Sequence, residues 1–266
     1  MGDMIVGCCW PMIGPDGLKN SLSFTRNLYL LLGLAEVGFT HLRFDVDTRS
    51  LPSHRARVFE VLEHAGLKPW PIVVLGQRSR PFPQCYRSRL PAADLQDVYD
   101  VAFELADRGA EFLEIGNEPA KLDVARYVDY VEVLSSLDAR IVVAADGINY
   151  QTGDMGWAGK VASQMGTNII PHWSAIHPYP HLANGKPKHV SRMGEYEWQR
   201  QRLGSLAVTE MAIPGNPEKL MDDMDIAAHV GVRAYFLYAY VHPTMGVLNE
   251  DGSDTPLATM LRRRLT

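Results

Sequence analysis

Three features of the 266-residue sequence predict an α/β protein folded as a single (β/α)₈ or TIM barrel spanning residues 1–266. Short runs of apolar and β-branched residues recur along the chain, and eight of them can be identified. The segments between them carry the three- and four-residue spacing of amphipathic helices. Eight strand–helix units in about 250 residues match the pattern and the length of this barrel.

The strand candidates are nearly continuous apolar stretches, which is typical of parallel strands that are covered on both faces. In chain order they are MIVGCC (4–9), HLRFDV (41–46), WPIVVL (70–75), EFLEIG (111–116), RIVVAA (140–145), WSAIHP (173–178), SLAVTE (205–210) and AYFLYAY (234–240).

Helical periodicity follows in the intervening segments, clearest in SLSFTRNLYLLLGLAEVG, AADLQDVYDVAFELADRG, VARYVDYVEVLSSL and DDMDIAAHVG. The second of these ends on Gly109, a residue type that commonly terminates helices. A doubly wound open sheet is the competing fold, but its glycine-rich GxGxxG turn is missing from CCWPMIGPDG after the first strand. No internal repeat or linker divides the chain, so we expect one domain.

Composition and charge exclude some functional classes. A formal net charge of −5 and a pI near 6.0 argue against nucleic acid as the main partner. No apolar run approaches the ~18 residues of a membrane span. The N-terminal MGDMIVGCCW lacks the features of a secretory signal, and three cysteines fit a reducing compartment. We therefore expect a cytoplasmic protein, or a secreted one whose leader is absent from this sequence.

Two glutamates occupy the ends of strand candidates. Glu118 follows the fourth strand in EIGNEP, and Glu210 follows the apolar part of the seventh in LAVTEM. In a closed barrel these two strands face each other across the axis, so we expect both carboxylates in the mouth, roughly 5 to 5.5 Å apart. That arrangement suits retaining glycoside hydrolysis, in which one carboxylate attacks the sugar and the other transfers protons.

These motifs resemble those of the clan-A glycoside hydrolases, the 4/7 superfamily, over essentially the whole chain. The resemblance implies that Glu118 is the acid/base and Glu210 the nucleophile of a retaining enzyme acting on a β-linked oligo- or polysaccharide. It also implies supporting or substrate-binding roles for Asn117 beside the sugar 2-hydroxyl, Arg43 beside Glu210, and His177 and Tyr179 of IHPYP near the nucleophile. A carbohydrate-binding barrel with weak or lost turnover is the alternative.

One departure from the clan pattern concerns the floor of the sugar site. Clan members commonly carry a tryptophan at the end of the eighth strand, where this chain has YFLYAYV, so Tyr238 or Tyr240 is expected to substitute. Trp10, assigned to the loop after the first strand, is the best candidate for stacking on a sugar ring.

The remaining acidic residues near strand ends are expected to be structural. Glu114 has the strand parity to point inward, where a lone charge would be costly, so we expect a partner such as Arg43. Asp45 and Asp47 flank the mouth after the second strand; contact with substrate is one possibility, and solvation at the surface is the favoured one.

No cofactor or metal is expected. The histidines lack the HExxH spacing, and the first strand carries GCC where a metal-dependent barrel hydrolase carries HxH. A metal-dependent barrel hydrolase is therefore a more distant alternative. The sequence makes no prediction of the oligomeric state.

Overall fold

The predicted barrel is present. The structure is a computed structural model that describes residues 4–10, 21–75, 92–117, 119, 122–145, 148, 152–165, 173–178, 182–183, 186–187, 192–213, 215–238, 246–249 and 251–265. Within these residues, eight parallel strands close into a barrel, in which each strand pairs with the next barrel strand along the chain and the last pairs with the first. The (β/α)₈ fold class is confirmed, because helices alternate with these strands along the chain.

The barrel strands correspond one by one to the predicted apolar runs. They are β1 (Ile5–Trp10), β2 (His41–Asp47), β3 (Lys68–Val74), β4 (Phe112–Ile115), β5 (Arg140–Ala144), β6 (Trp173–Ile176), β9 (Leu206–Met211) and β10 (Ala234–Leu237). A short antiparallel pair that the sequence did not predict follows β6, formed by β7 (Leu182–Ala183) and β8 (Lys186–Pro187).

Eight helices surround the barrel in the described residues. They are α1 (Ser21–Val37), α2 (Pro52–Ala65), α3 (Leu95–Asp107), α4 (Val124–Leu134), α5 (Gly156–Met165), α6 (Arg192–Leu203), α7 (Pro217–Val230) and α8 (Pro256–Leu265). The side chain of Asp94 caps α3 by accepting from the backbone N–H of Gln96, and Gly109 ends the following turn with a φ of 93°. None of the helices in the described part of the chain is long and apolar enough to cross a membrane.

Two hydrophobic cores result from this architecture. The larger one lies between strands and helices, and the smaller one fills the barrel interior. Aromatic rings dominate the interior: Trp70 stacks on Phe112 with 4.4 Å between ring centroids, and Phe236 approaches Trp70 at 4.7 Å. Gly7 makes room for this packing, since a Cβ there would lie 2.3 Å from a ring carbon of Phe236. The interior below the mouth is therefore a solid floor.

Candidate active site

Polar side chains gather at the carboxyl ends of the barrel strands, above the aromatic floor. Arg43 projects from β2, Glu114 from β4 and Glu210 from β9. Asn117 and His177 come directly after β4 and β6. These five side chains are joined by hydrogen bonds or ion pairs. Because the strands are parallel, residues far apart in sequence meet at one end of the barrel.

Arg43 and Glu114 form the centre of this cluster. Arg43 donates from Nε to Glu114 Oε2 at 2.8 Å and from Nη2 to Oε1 at 2.7 Å, and the side chains are only 4% and 1% exposed. Burial alone would lower the pKa of Arg43, but the charge and hydrogen bonds of Glu114 raise it well above its usual value. Arg43 therefore stays protonated, and the partner predicted for Glu114 is confirmed by the two short hydrogen bonds.

Two further donors complete the coordination of Glu114. The indole Nε1 of Trp70 donates to Oε2 at 3.0 Å, and the hydroxyl of Thr209 donates to Oε1 at 3.3 Å. Glu114 thus accepts four hydrogen bonds from residues of β2, β3 and β9. A carboxylate buried among apolar rings needs all of these hydrogen bonds, because each one that is missing would cost free energy.

A β-bulge in β9 turns Glu210 toward the same cluster. The register between β9 and β10 shifts between the pairs Val208–Tyr235 and Met211–Leu237, so β9 contains one extra residue there. In a regular strand, consecutive side chains point to opposite faces. The bulge instead lets Thr209 and Glu210 both contact groups inside the barrel. Glu210 lies in β9, one residue before its last residue, Met211, so its predicted place at the end of the seventh strand is confirmed.

Glu210 is held more loosely than Glu114. Its Oε2 lies 3.6 Å from Arg43 Nη1 and 3.5 Å from His177 Nδ1, and its side chain is 13% exposed. These separations are ion-pair distances and exceed those of normal charged hydrogen bonds. Of its two carboxylate neighbours, Arg43 therefore gives its short hydrogen bonds to Glu114 and supplies mainly charge to Glu210.

Gly116 and Asn117 form the turn at the end of β4. Gly116 has a φ of +72°, and a Cβ there would lie 3.1 Å from Leu75 Cδ1, so both the backbone and the space favour glycine. Asn117 Oδ1 accepts from Arg43 Nη2 at 3.0 Å. Because the carbonyl oxygen is used in this way, the amide nitrogen is the group available for donation.

Tyr127 of α4 fixes the end of β4 from outside the barrel. Its hydroxyl donates to the carbonyl of Ile115 at 2.8 Å and accepts from the backbone N–H of Ala144 at 2.9 Å. The hydroxyl thereby bridges β4 and β5 at their carboxyl ends. This contact holds the last residue of β4 just before the Gly116 turn.

Tyr238 and Cys9 border the cluster on the side of β10 and β1. Burial raises the pKa of Tyr238, and the nearby charges of Glu210, Cys9 and Asp45 raise it further. Burial also raises the pKa of the Cys9 thiol, which donates to the carbonyl of Thr209 at 3.2 Å. Both groups stay protonated at neutral pH, and Cys9 belongs to the interior core.

Two expectations from the sequence are wrong. Trp10 is the last residue of β1 and pairs with Phe44 of β2, so it is not in the following loop. Asp45 and Asp47 are buried, with exposures of 8% and 6%, because β2 extends to Asp47 and carries both residues into the barrel wall. Asp47 is paired with Arg49 at 2.9 Å.

The predicted site residues are only partly covered by the described chain. Arg43, Asn117, His177 and Glu210 come together, and Tyr238 lies beside them. Glu118, Tyr179 and Tyr240 lie outside the described residues, and so does the expected separation between the two catalytic carboxylates.

Sequence reasoning missed Trp70, Thr209 and Tyr127. Trp70 was assigned to a strand, but nothing in the sequence indicates that its indole donates to Glu114. Thr209 directly precedes Glu210, and strict alternation would place only one of the two inside the barrel. Within the described residues, no group of three histidine, cysteine or acidic side chains could hold a metal ion.

Solved structures share this fold over almost their full length. A fungal β-1,4-galactanase superimposes with a TM-score of 0.63 at 13% identity, covering 97% of this chain and 99% of that one. The β-amylase catalytic domain of Paenibacillus polymyxa gives 0.64 at 8% identity, with 98% and 97% covered. An endo-β-1,3-glucanase of Amycolatopsis mediterranei, in complex with laminarihexaose, gives 0.60 at 13% identity, with 98% and 99% covered.

At these identities the similarity shows the fold alone. The resemblance to clan-A glycoside hydrolases that the motifs indicate is therefore confirmed at the level of the fold. No protein-family model and no curated protein matches the chain.

Proposed function

We propose that the protein is a retaining O-glycoside hydrolase that cleaves a β-linked oligo- or polysaccharide by double displacement. The observation that carries the proposal is the arrangement around Glu210. This carboxylate is partly exposed at the carboxyl end of the seventh barrel strand, and it faces Arg43 and His177 at 3.6 and 3.5 Å. A single catalytic domain spanning residues 1–266 is part of the proposal.

Glu210 is proposed as the nucleophile and Glu118 as the acid/base. A carboxylate oxygen of Glu210 attacks the anomeric carbon while the glycosidic C–O bond breaks and Glu118 gives its proton to the departing oxygen. The glycosyl ester then reacts with water, whose proton returns to Glu118 as the bond to Glu210 breaks. The sugar leaves with its original anomeric configuration.

The surrounding residues support this chemistry in distinct ways. Arg43 places its positive charge beside Glu210, and it donates a hydrogen bond to the carbonyl oxygen of Asn117. The amide nitrogen of Asn117 is then directed toward donation to the sugar 2-hydroxyl, a bond that strengthens in the transition state. His177 contacts the same oxygen of Glu210, Oε2, as Arg43 does.

Aromatic residues are proposed to bind the sugar or to support the nucleophile. Tyr238 takes the place of the clan's floor tryptophan, together with Tyr240. Tyr179 supports Glu210, and Trp10 stacks on a sugar ring.

The substrate class rests on the proteins that share the fold. Two of them are named for β-1,4-galactan and β-1,3-glucan, and one of these is in complex with laminarihexaose. A β-linked glycan is accordingly proposed as the ligand of this barrel mouth.

A panel of aryl β-glycosides tests the reaction, and azide rescue tests the roles. Glu210→Ala should lose turnover and regain it with azide, giving a glycosyl azide of inverted configuration. Glu118→Ala, the matched variant, should give the azide of retained configuration, because the first displacement still occurs on Glu210.

Sugar binding without any release of aglycone would instead favour a carbohydrate-binding barrel. Loss of activity to a chelator would favour a metal-dependent hydrolase.

A further inference from the structure

The contacts around Glu114 extend beyond its bond to Arg43. Thr209 Oγ1 lies 3.3 Å from Glu114 Oε1 and 3.2 Å from His177 Nε2. His177 Nε2 in turn lies 3.5 Å from Arg43 Nη2. Arg43, Glu114, Thr209 and His177 therefore form a closed ring of polar contacts. Glu210 touches this ring at two points, through Arg43 Nη1 and through His177 Nδ1.

We propose that Glu114 is a positioning residue for the proposed hydrolysis, which holds both groups that contact Glu210. It holds Arg43 directly through two short hydrogen bonds, and it holds His177 through the hydroxyl of Thr209. The inference rests on the proposed function and adds a role for a carboxylate that touches neither substrate nor reacting atoms.

Competition for the guanidinium explains why this arrangement favours reaction. Arg43 has two carboxylate neighbours, and Glu114 takes both of its well-formed charged hydrogen bonds. Glu210 receives the positive charge at 3.6 Å without a tight hydrogen bond. A carboxylate that is ionised but weakly hydrogen-bonded keeps its lone pairs available for attack. Without Glu114, Arg43 would turn toward Glu210 and bind those lone pairs.

The geometry depends on the bulge in β9. Thr209 and Glu210 are consecutive, and both reach the ring because the register shifts by one residue there. Glu114 is also held from below, because the indole N–H of Trp70 in the aromatic floor donates to it at 3.0 Å. The ring is thus anchored to the solid part of the barrel rather than to a loop.

Charged and titratable side chains from several barrel strands lie around Glu210. In the described part of the chain, Arg43 of β2 and His177 after β6 lie within ion-pair distance of Glu210. Besides burial, the charge of Glu210 raises the pKa of Cys9 in β1, on which Glu114 also acts, and that of Tyr238 after β10, on which Asp45 of β2 also acts. Glu114 is the buried carboxylate that shares Arg43 with Glu210. Replacing Glu114 by glutamine removes one negative charge beside Arg43, so the pH dependence of activity is a readout of its role.

The test compares Glu114→Gln with Asp223→Asn, measured on an aryl β-glycoside. Asp223 is a matched control, because it is equally buried at 3% exposure and is paired with an arginine, Arg192, at 2.9 Å, but between helices. For Glu114→Gln we expect kcat to fall about 100-fold with KM changed less than about threefold. The acid limb of the kcat/KM profile should move down by about one pH unit. For Asp223→Asn, kcat should stay within about twofold and the limb should not move.

A purely structural role would give a different result. A folded Glu114→Gln protein whose kcat and acid limb match those of Asp223→Asn would overturn the proposal. If Glu114→Gln does not fold, Thr209→Val replaces it, because valine keeps the shape and removes the hydroxyl that links Glu114 to His177. We expect kcat to fall about tenfold for Thr209→Val and to recover with Thr209→Ser. Unchanged turnover in Thr209→Val would contradict the proposal.

A measurement without substrate separates this inference from the proposed function. The Nε–H of Arg43 is buried and bonded to Glu114, so its NMR resonance should exchange slowly with water in the wild-type protein. It should shift and exchange faster in Glu114→Gln but not in Asp223→Asn. If the Arg43 resonance changes in this way but the protein cleaves no glycoside, the proposed function is wrong and the positioning of Arg43 by Glu114 stands. If the Arg43 resonance is the same in Glu114→Gln as in the wild-type protein, the positioning role is wrong.

Discussion

Two clusters in this molecule each join one arginine to a buried and a partly exposed carboxylate, and they differ in how the partly exposed carboxylate is held. In the barrel interior, Arg43 pairs with buried Glu114 and reaches a partly exposed carboxylate, Glu210, at 3.6 Å. Between α6 and α7, Arg192 pairs with buried Asp223 and binds a partly exposed carboxylate, Glu195, at 2.6 Å. The exposed carboxylate is tightly held in the second cluster and loosely held in the first.

Tyrosine hydroxyls complete the contacts of Asp223 in the helix cluster. Asp223 Oδ2 accepts from the hydroxyls of Tyr196 at 2.7 Å and Tyr235 at 2.6 Å. Burial and the charge of Asp223 raise the pKa of Tyr196, and burial raises that of Tyr235, so both hydroxyls remain donors. Asp223 of α7 is bonded to Arg192 and Tyr196 of α6 and to Tyr235 of β10, so the cluster connects these three elements.

The barrel cluster differs because its scaffold bonds are complete without Glu210. Four hydrogen bonds satisfy Glu114, and Glu210 lies outside that set. Within the described residues, the partly exposed carboxylate is therefore bonded tightly in the helix cluster and loosely in the barrel cluster. Because both clusters contain a buried ion pair, tight charge pairing alone does not identify a functional site; the role proposed for Glu210 also depends on its position at the carboxyl end of a barrel strand.

The largest expected difference between the clusters is in activity. Glu210→Gln removes the proposed nucleophile and should lower kcat on an aryl β-glycoside by on the order of 10⁴-fold. Glu195→Gln is the matched change in the helix cluster, since the side chains are 13% and 17% exposed. It should leave kcat within about twofold. Equal losses of kcat in Glu210→Gln and Glu195→Gln would contradict a difference in function between the two clusters.

Removal of each arginine should affect the stability of both clusters similarly. Arg43→Met and Arg192→Met each leave a buried carboxylate without its charge partner, and we expect the free energy of unfolding in urea to fall by about 3–5 kcal/mol. Only Arg43→Met should also abolish turnover in the fraction that remains folded. A much smaller cost at Arg43 would mean that Glu114 is not a structural anchor.

The smallest expected effect concerns the floor beneath the barrel cluster and its dependence on pH. Burial, followed by the charge of Lys68, lowers the pKa of His41 to about 4, and its ring packs edge-on against Trp70 and Phe112. The unfolded chain therefore binds a proton at a higher pH than the folded protein. The stability that neutral His41 contributes is complete above about pH 6.5 and is lost as the pH falls toward 4.

Urea unfolding at pH 7 and pH 4.5 measures this contribution. We expect His41→Phe to lose about 2 kcal/mol less than the wild-type protein between the two pH values. His64→Gln, a change at an exposed hydrogen bond in the last turn of α2, should keep the wild-type dependence. An identical pH dependence in His41→Phe and the wild type would contradict the assignment.

The sequence predicted those parts of the molecule that depend on local pattern. Eight apolar runs gave the barrel strands, because strands covered on both faces need continuous apolar sequence. The pairing of Glu114 with Arg43 followed from strand parity and from the cost of a lone buried charge.

Features that depend on register and on three-dimensional packing were not predictable. The bulge in β9 is a property of its pairing with β10, and a single strand's sequence does not encode it. Trp10 was assigned to a loop because β1 ends on a residue that either element accepts. Asp45 and Asp47 were expected in solvent, since an acidic residue is normally exposed unless a partner lies elsewhere in the fold.

Covalent labelling of Glu210 tests the central claim most directly. The protein would be incubated with the 2-deoxy-2-fluoro analogue of an aryl β-glycoside that it turns over, digested, and analysed by mass spectrometry. A single glycosyl group on Glu210, formed more slowly in Glu114→Gln, is the predicted result. A label on any other residue, or hydrolysis that releases a sugar of inverted configuration with no label at all, would contradict the account.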